Sequence, residues 1–131
     1  MKRIRWGDLA LWLVAAFLVW VFVRQGLAKF SDSSGWARAF VLWHYPVWFR
    51  ILIGVIEVAA ALLLLTRRTA SIGAAMIAVV MLGAMGTHVF TGHPRQVTSE
   101  VLPLTLSLVV LFGRWRHFAR WAFRPRNPGG A

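Results

Sequence analysis

Ionisable side chains are rare within the apolar runs of this chain, so the few present are where chemistry could be done. The stretch RILIGVIEVAAALLLLTRR, residues 50–68, carries a lone carboxylate, Glu57, near its middle. Arg24, Lys29 and Arg50 stand near the ends of apolar runs, Gln25 lies four residues before Lys29, and His88 lies near the end of a third run. Charges inside a membrane span mark functional sites by default, and otherwise pair with one another. A carboxylate beside a base can hold a polar head group or exchange a proton with it. Metal chemistry fits less well. The spacing in HVFTGH puts His88 and His93 five residues apart, off a common helical face, and no cysteine is present to add a thiolate ligand. No metal site is expected.

Spacing relates these residues further. Arg50 and Glu57 are seven apart, on one helical face about two turns from each other, with Ile53 and Gly54 between them. Gly54 clears space beside Glu57 for another backbone or a ligand. Gln25 and Lys29, four apart, share a face. If the first two apolar helices are antiparallel, the end of one lies beside the start of the next. Arg24, deeper than Lys29, is then the expected partner of Glu57, with Lys29 and Arg50 nearer the surface.

The elements that must position these groups follow from composition. The 131 residues suffice for one domain, 59% are hydrophobic and 15% charged. Soluble domains sit near 45–50% apolar and about 25% charged. With a mean hydropathy of +0.65, a single small domain could not hide its apolar surface from water. The bilayer is the natural solvent. The expected fold is an all-α integral membrane four-helix bundle, residues 1–113, with spans at about 8–29, 47–65, 69–90 and 97–113. Pro46 opens the second span, and Thr98 or Ser99 is expected to cap the fourth. The last span is short, so residues 114–124 are read as its extension or as a separate interfacial amphipathic helix. Residues 125–131 are read as a disordered tail. VRQGLAKF after the first run lacks a signal-peptide cleavage pattern, so that run is read as a retained span.

Net charge is +11, from fifteen Lys/Arg against Asp8, Asp32, Glu57 and Glu100. The cations punctuate apolar runs, which argues against nucleic acid as a partner. Lys2, Arg3, Arg5, Arg67, Arg68, Arg114, Arg116, Arg120, Arg124 and Arg126 fall on one side of the expected membrane. The positive-inside rule then places both termini in the cytoplasm and the segments 31–45 and 91–96 outside. Trp36, Phe40, Trp43, Tyr45, Trp48 and Phe49 near the outer face read first as an interfacial aromatic belt, and second as the mouth of an apolar pocket. The small residues of the third span allow close helix packing or self-association.

Magnitudes temper the weight placed on Glu57. A charge at the centre of a span costs about 2.5–3.5 kcal/mol on the insertion scale, and each Leu, Ile or Val returns about 0.3–0.6. The apolar neighbours of Glu57 therefore suffice for insertion. In the folded bundle the carboxylate must still pair, bind a proton or face water.

The order and spacing of VRQGLAKFSD, IGVIEVAAALLLLTRRTASIGAA and MLGAMGTHVF resemble the DoxX family of small four-helix bacterial membrane proteins, over about residues 10–113. The resemblance implies the bacterial inner membrane, and it singles out Gly26, Lys29 and Glu57. Some members look like membrane subunits of quinone-linked sulfur oxidoreductases, and others are associated with redox complexes. Vitamin K epoxide reductase also uses four helices, but its chemistry needs paired cysteines that this chain lacks.

The leading expectation is an accessory or anchor subunit of a redox-linked complex. Its buried Glu57, Arg24 and Lys29 cluster would tie the helices together or line a quinone or lipid site. Alternatives are a quinone-reacting subunit using Glu57 for proton transfer, and a lipid or small-molecule carrier that needs an oligomer to enclose a cavity. The expected partners are lipids and other membrane subunits or a second copy. A quinone is the one cofactor in view, with nothing covalently bound.

Overall fold

The computed structural model of the protein describes residues 6–93 and 96–123, apart from the side chains of His117 and Trp121. The tail 125–131 and the cations Lys2, Arg3, Arg5, Arg95, Arg124 and Arg126 lie outside the described residues. Five helices follow one another: α1 Trp6–Ala28, α2 Gly35–Leu42, α3 Val47–Leu63, α4 Ala70–Phe90 and α5 Val97–Ala122. Among the described residues there is no strand.

The long helices form because uninterrupted apolar runs can satisfy their backbone groups internally. By length and composition α1, α4 and α5 could each cross a membrane. At 17 residues, α3 reaches about 25 Å, a little short of a hydrocarbon core of about 30 Å. Residues 114–122 continue α5 without a break. The fourth apolar run is capped differently from expectation. Its N-cap position is Gln96, and Ser99 lies inside the helix with its hydroxyl donating to the Gln96 carbonyl at 2.6 Å.

Residues 31–45, expected only as an outward segment between spans, contain the helix α2. Ser34 caps it by accepting from the Ala37 N–H at 3.3 Å. The helix ends in a Schellman turn: Tyr45 N–H donates to the Phe40 carbonyl at 2.9 Å and His44 N–H to that of Val41 at 3.0 Å. His44 occupies the left-handed position, φ +60°. The turn folds Tyr45 back onto Phe40, with ring centroids 5.8 Å apart.

The four long helices pack in a closed ring in the order α1, α3, α4, α5, and α2 lies against α3. Leu18, Phe22, Ala60, Leu64, Ala74, Ile77, Met81 and Val110 fill its centre. Large apolar side chains such as Trp20, Leu62, Phe90 and Phe112 cover the outside. An apolar outer surface of this extent suits lipid rather than water.

Two contacts set the spacing of the ring. Where α1 meets α3, a Cβ on Gly54 would lie 2.9 Å from the Gly26 carbonyl oxygen, and one on Gly26 would lie 2.9 Å from that of Gly54. Where α3 meets α4, a Cβ on Gly73 would lie 2.5 Å from the Ala60 carbonyl oxygen. Only glycine permits either approach. At that same end Asp8 accepts from Arg67 at 2.6 Å and from Arg114, tying α1 to the α3–α4 turn and to α5. Both guanidiniums lie by the Trp12 ring.

Candidate functional site

From the Gly73 contact, α3 and α4 diverge towards the end of the ring that carries Lys29. The wedge between them is a cavity of about 710 Å³. Ile53 and Ile56 of α3 face Met76, Val79 and Val80 of α4 across it. Trp36 and Phe40 of α2, together with Trp43, Tyr45 and Phe49 after it, close the wide end. One side is open along α4, where Val79 is 69% exposed. Gly83 lines the cavity, and a Cβ there would meet nothing. The volume lies within the range of about 300–1,000 Å³ typical of small-molecule sites.

The polar groups gather where α1, α3, α4 and α5 meet this space. Lys29 Nζ donates to Glu57 Oε2 at 2.8 Å, with the two side chains 3% and 2% exposed. The ammonium also lies 3.8 Å from the centroid of the Trp36 ring, a cation–π contact. Gln25 lines the cavity beside them. His88 of α4 faces Glu100 of α5, Nε2 to Oε1 3.5 Å, and the Trp43 ring meets the imidazole edge-on. Tyr45 and Thr87 share a hydroxyl hydrogen bond of 2.8 Å.

Helical period explains the pairing. On α1, Ala15, Leu18, Phe22 and Gly26 are buried at successive spacings of three or four, and Lys29 extends the series just beyond the helix. On α3 the buried series is Arg50, Gly54, Glu57, Ala60 and Ala61. Gly26 and Gly54 bring the two series into backbone contact, and Lys29 and Glu57 meet next to that crossing. The partner of Glu57 is thus Lys29, correcting the expectation of Arg24. Depth favours Arg24, but its position on the helix turns it outward, exposed, with its guanidinium 4.9 Å from the Trp20 ring centroid. Arg50 does not reach Glu57 either. It is buried and pairs with Asp32 at 2.6 Å, outside the cavity lining.

The aromatic residues divide as well. Trp36, Phe40, Trp43, Tyr45 and Phe49 line the pocket, while Trp48 points outward, 67% exposed. Sequence reading missed Glu100 as part of this cluster, and the α2 roof with it. Ser34 followed by GWARAFVLW was the available signal for α2, and the position of Glu100 in the first turn of α5 had no counterpart to point to. A cavity was expected only in an oligomer, whereas a single chain forms this one, open on one side.

An apolar wedge with aromatic walls and an ion pair at its wide end can hold an amphipathic molecule, its head against the charged groups and its tail towards the open side. Comparison with known proteins places the chain among relatives. No solved structure gives a significant match. The chain is 29% identical over 96 residues to "Uncharacterized protein YdgD" of Bacillus subtilis (strain 168), covering 69% of this chain and 84% of that protein. The profile of the DoxX-like family matches residues 13–111. Its long apolar helices and that match make it a membrane protein, and the chain belongs to the DoxX-like family.

Proposed function

We propose that this protein is a four-span protein of the bacterial inner membrane that binds a quinone-class amphiphile in the α3–α4 cavity and serves as an accessory subunit of a redox-linked membrane complex. The observation that carries the reading is the cavity of about 710 Å³, aromatic at its wide end and bounded there by the Lys29–Glu57 pair. Aromatic walls favour a planar ring by stacking or edge contact. The open flank along Val79 gives a long apolar tail a path into lipid. The chain has no cysteine, so electrons would move on the bound ring or a partner subunit.

Topology belongs to the same proposal. Arg67, Arg68, Arg114, Arg116 and Arg120 cluster at the Asp8 end of the ring, which favours that end, and both termini with it, in the cytoplasm. The cavity then opens in the outer half of the membrane.

Purification in mild detergent followed by solvent extraction and mass spectrometry tests the ligand. A co-purified prenylated ring compound at a sizeable fraction of one per chain is expected, together with stoichiometric membrane partners in a pulldown. Ordinary phospholipid alone in the extract would refute the quinone assignment, and a clean monomer or homodimer the accessory role.

A second reading is favoured by Glu57 lining the cavity directly: a subunit that exchanges a proton with the bound ring. Quinone-dependent activity of the intact complex that survives Glu57→Gln in a folded protein would end it.

A further inference from the structure

The cavity leaves one buried polar atom without a partner. His88 is 5% exposed, and its Nδ1 meets no hydrogen-bonding group among the described residues. Nearly all buried polar atoms in native proteins are satisfied, so an exception calls for a cause. His88 lines both the main cavity and a second space of about 430 Å³ on the far side of Trp36 and Trp43. The side chain borders both spaces while Nδ1 itself is sealed from solvent, so a donor in the cavity reaches it after a small turn of the ring.

The neighbours of the imidazole decide what that atom can accept. Its other nitrogen, Nε2, faces the Glu100 carboxylate at 3.5 Å. A carboxylate beside one ring nitrogen favours the tautomer with the proton on that nitrogen. Nδ1 is then a bare lone pair, and only a donor can answer it. Charge narrows the choice further. Two carboxylates, Glu57 and Glu100, line the cavity against one ammonium, that of Lys29. A carboxylate or phosphate head is disfavoured there. A neutral hydroxyl on an aromatic ring suits both the lone pair and the aromatic walls.

We propose that His88 Nδ1 accepts a hydrogen bond from the hydroxyl of a phenol- or hydroquinone-class head group seated in the cavity, with Glu100 holding the imidazole in the accepting tautomer. His88 is then a binding residue and Glu100 a positioning residue, and the site prefers the hydroxyl-bearing form of a ring to its carbonyl or ether form. This rests on the reading that the cavity holds a ring-headed amphiphile.

The test uses a chemically stable pair, 4-dodecylphenol and its O-methyl ether, titrated into the purified full chain in mild-detergent micelles, with quenching of tryptophan fluorescence as the readout. The phenol is expected to bind about tenfold more tightly than the ether, the worth of one good hydrogen bond. His88→Phe abolishes that ratio while both compounds still bind, His88→Asn, which retains an acceptor near the Nδ1 position, restores part of it, and Glu100→Gln reduces it. The comparison in the unaltered protein needs no variant, so it stands even if His88→Phe fails to fold. Equal affinities in the unaltered protein, or a preference that survives His88→Phe, would overturn the assignment and leave a water molecule as the partner of Nδ1. Binding of neither compound would overturn the ligand reading of the cavity as well.

Discussion

Removing one member of the Lys29–Glu57 pair will cost more than removing both. The side chains are almost fully buried and meet at 2.8 Å. At an effective dielectric constant of about 20, unit charges at that distance attract by about 6 kcal/mol, against several kcal/mol of desolvation for each ion. The pair is therefore worth little net, while either ion left alone keeps its desolvation cost. Lys29→Met strands Glu57, since Arg50 is engaged with Asp32 and Arg24 lies over Trp20. A loss of about 3–5 kcal/mol is expected. Glu57→Met strands Lys29 less severely, because the ammonium keeps the Trp36 face, worth about 0.5–2 kcal/mol. About 2–4 kcal/mol is expected there. The double variant replaces the pair by apolar groups of similar length and should fall within about 2 kcal/mol of the parent. Reversible unfolding by SDS in mixed micelles, followed by far-ultraviolet circular dichroism, gives all four corners of the cycle. Expected coupling is at least about 3 kcal/mol; single effects that add to the double within about 0.5 kcal/mol would refute the pair as an energetic unit.

The same titration checks three further expectations. Gly54→Ala forces a methyl against the Gly26 carbonyl and should cost about 1–3 kcal/mol, whereas Gly83→Ala, which meets open space, should stay within about 0.5 kcal/mol. Tyr45→Phe should lose about 0.5–1.5 kcal/mol with its hydrogen bond to Thr87, Thr87→Val at least as much because it also removes the bond to the Gly83 carbonyl, and the double variant no more than Thr87→Val alone. At the left-handed position after α2, His44→Gly should be neutral or stabilising by up to about 1 kcal/mol and His44→Val destabilising by about 1–2 kcal/mol.

The long helices were legible because apolar runs broken by Arg67–Arg68 and by Gly- and Pro-containing turns admit few other readings. The space beside Gly54 was legible as well, and the structure fills it with the Gly26 backbone. What depth along a helix does not convey is rotation about its axis. Arg24 and Lys29 differ by about 7.5 Å in depth but also by about 140° in direction, and the buried Leu18–Phe22–Gly26 spacing already points to the face of Lys29. The α2 roof was hidden for a different reason. Eight residues of helix next to a dense run of aromatics read as an interfacial belt, and only the Schellman turn at His44 folds those rings inward. Glu100 reaches His88 through α4–α5 packing, which no local pattern announces.

The ring is tied at one end and splayed at the other, and this gives it the mechanics of tongs. Near Asp8, one carboxylate joins three elements and Gly73 sits against the Ala60 backbone, so that end resists widening. Towards Lys29, α3 and α4 stand apart, and a small rotation about the Gly73 contact changes the width at Ile53 and Val79 without breaking the contacts at Ala60. If the cavity holds a guest as proposed, the splayed end is the place where its thickness would be met, away from the packed core. On that reading, the glycine contact that sets the splay lies at the opposite end of α3 and α4 from Lys29 and His88.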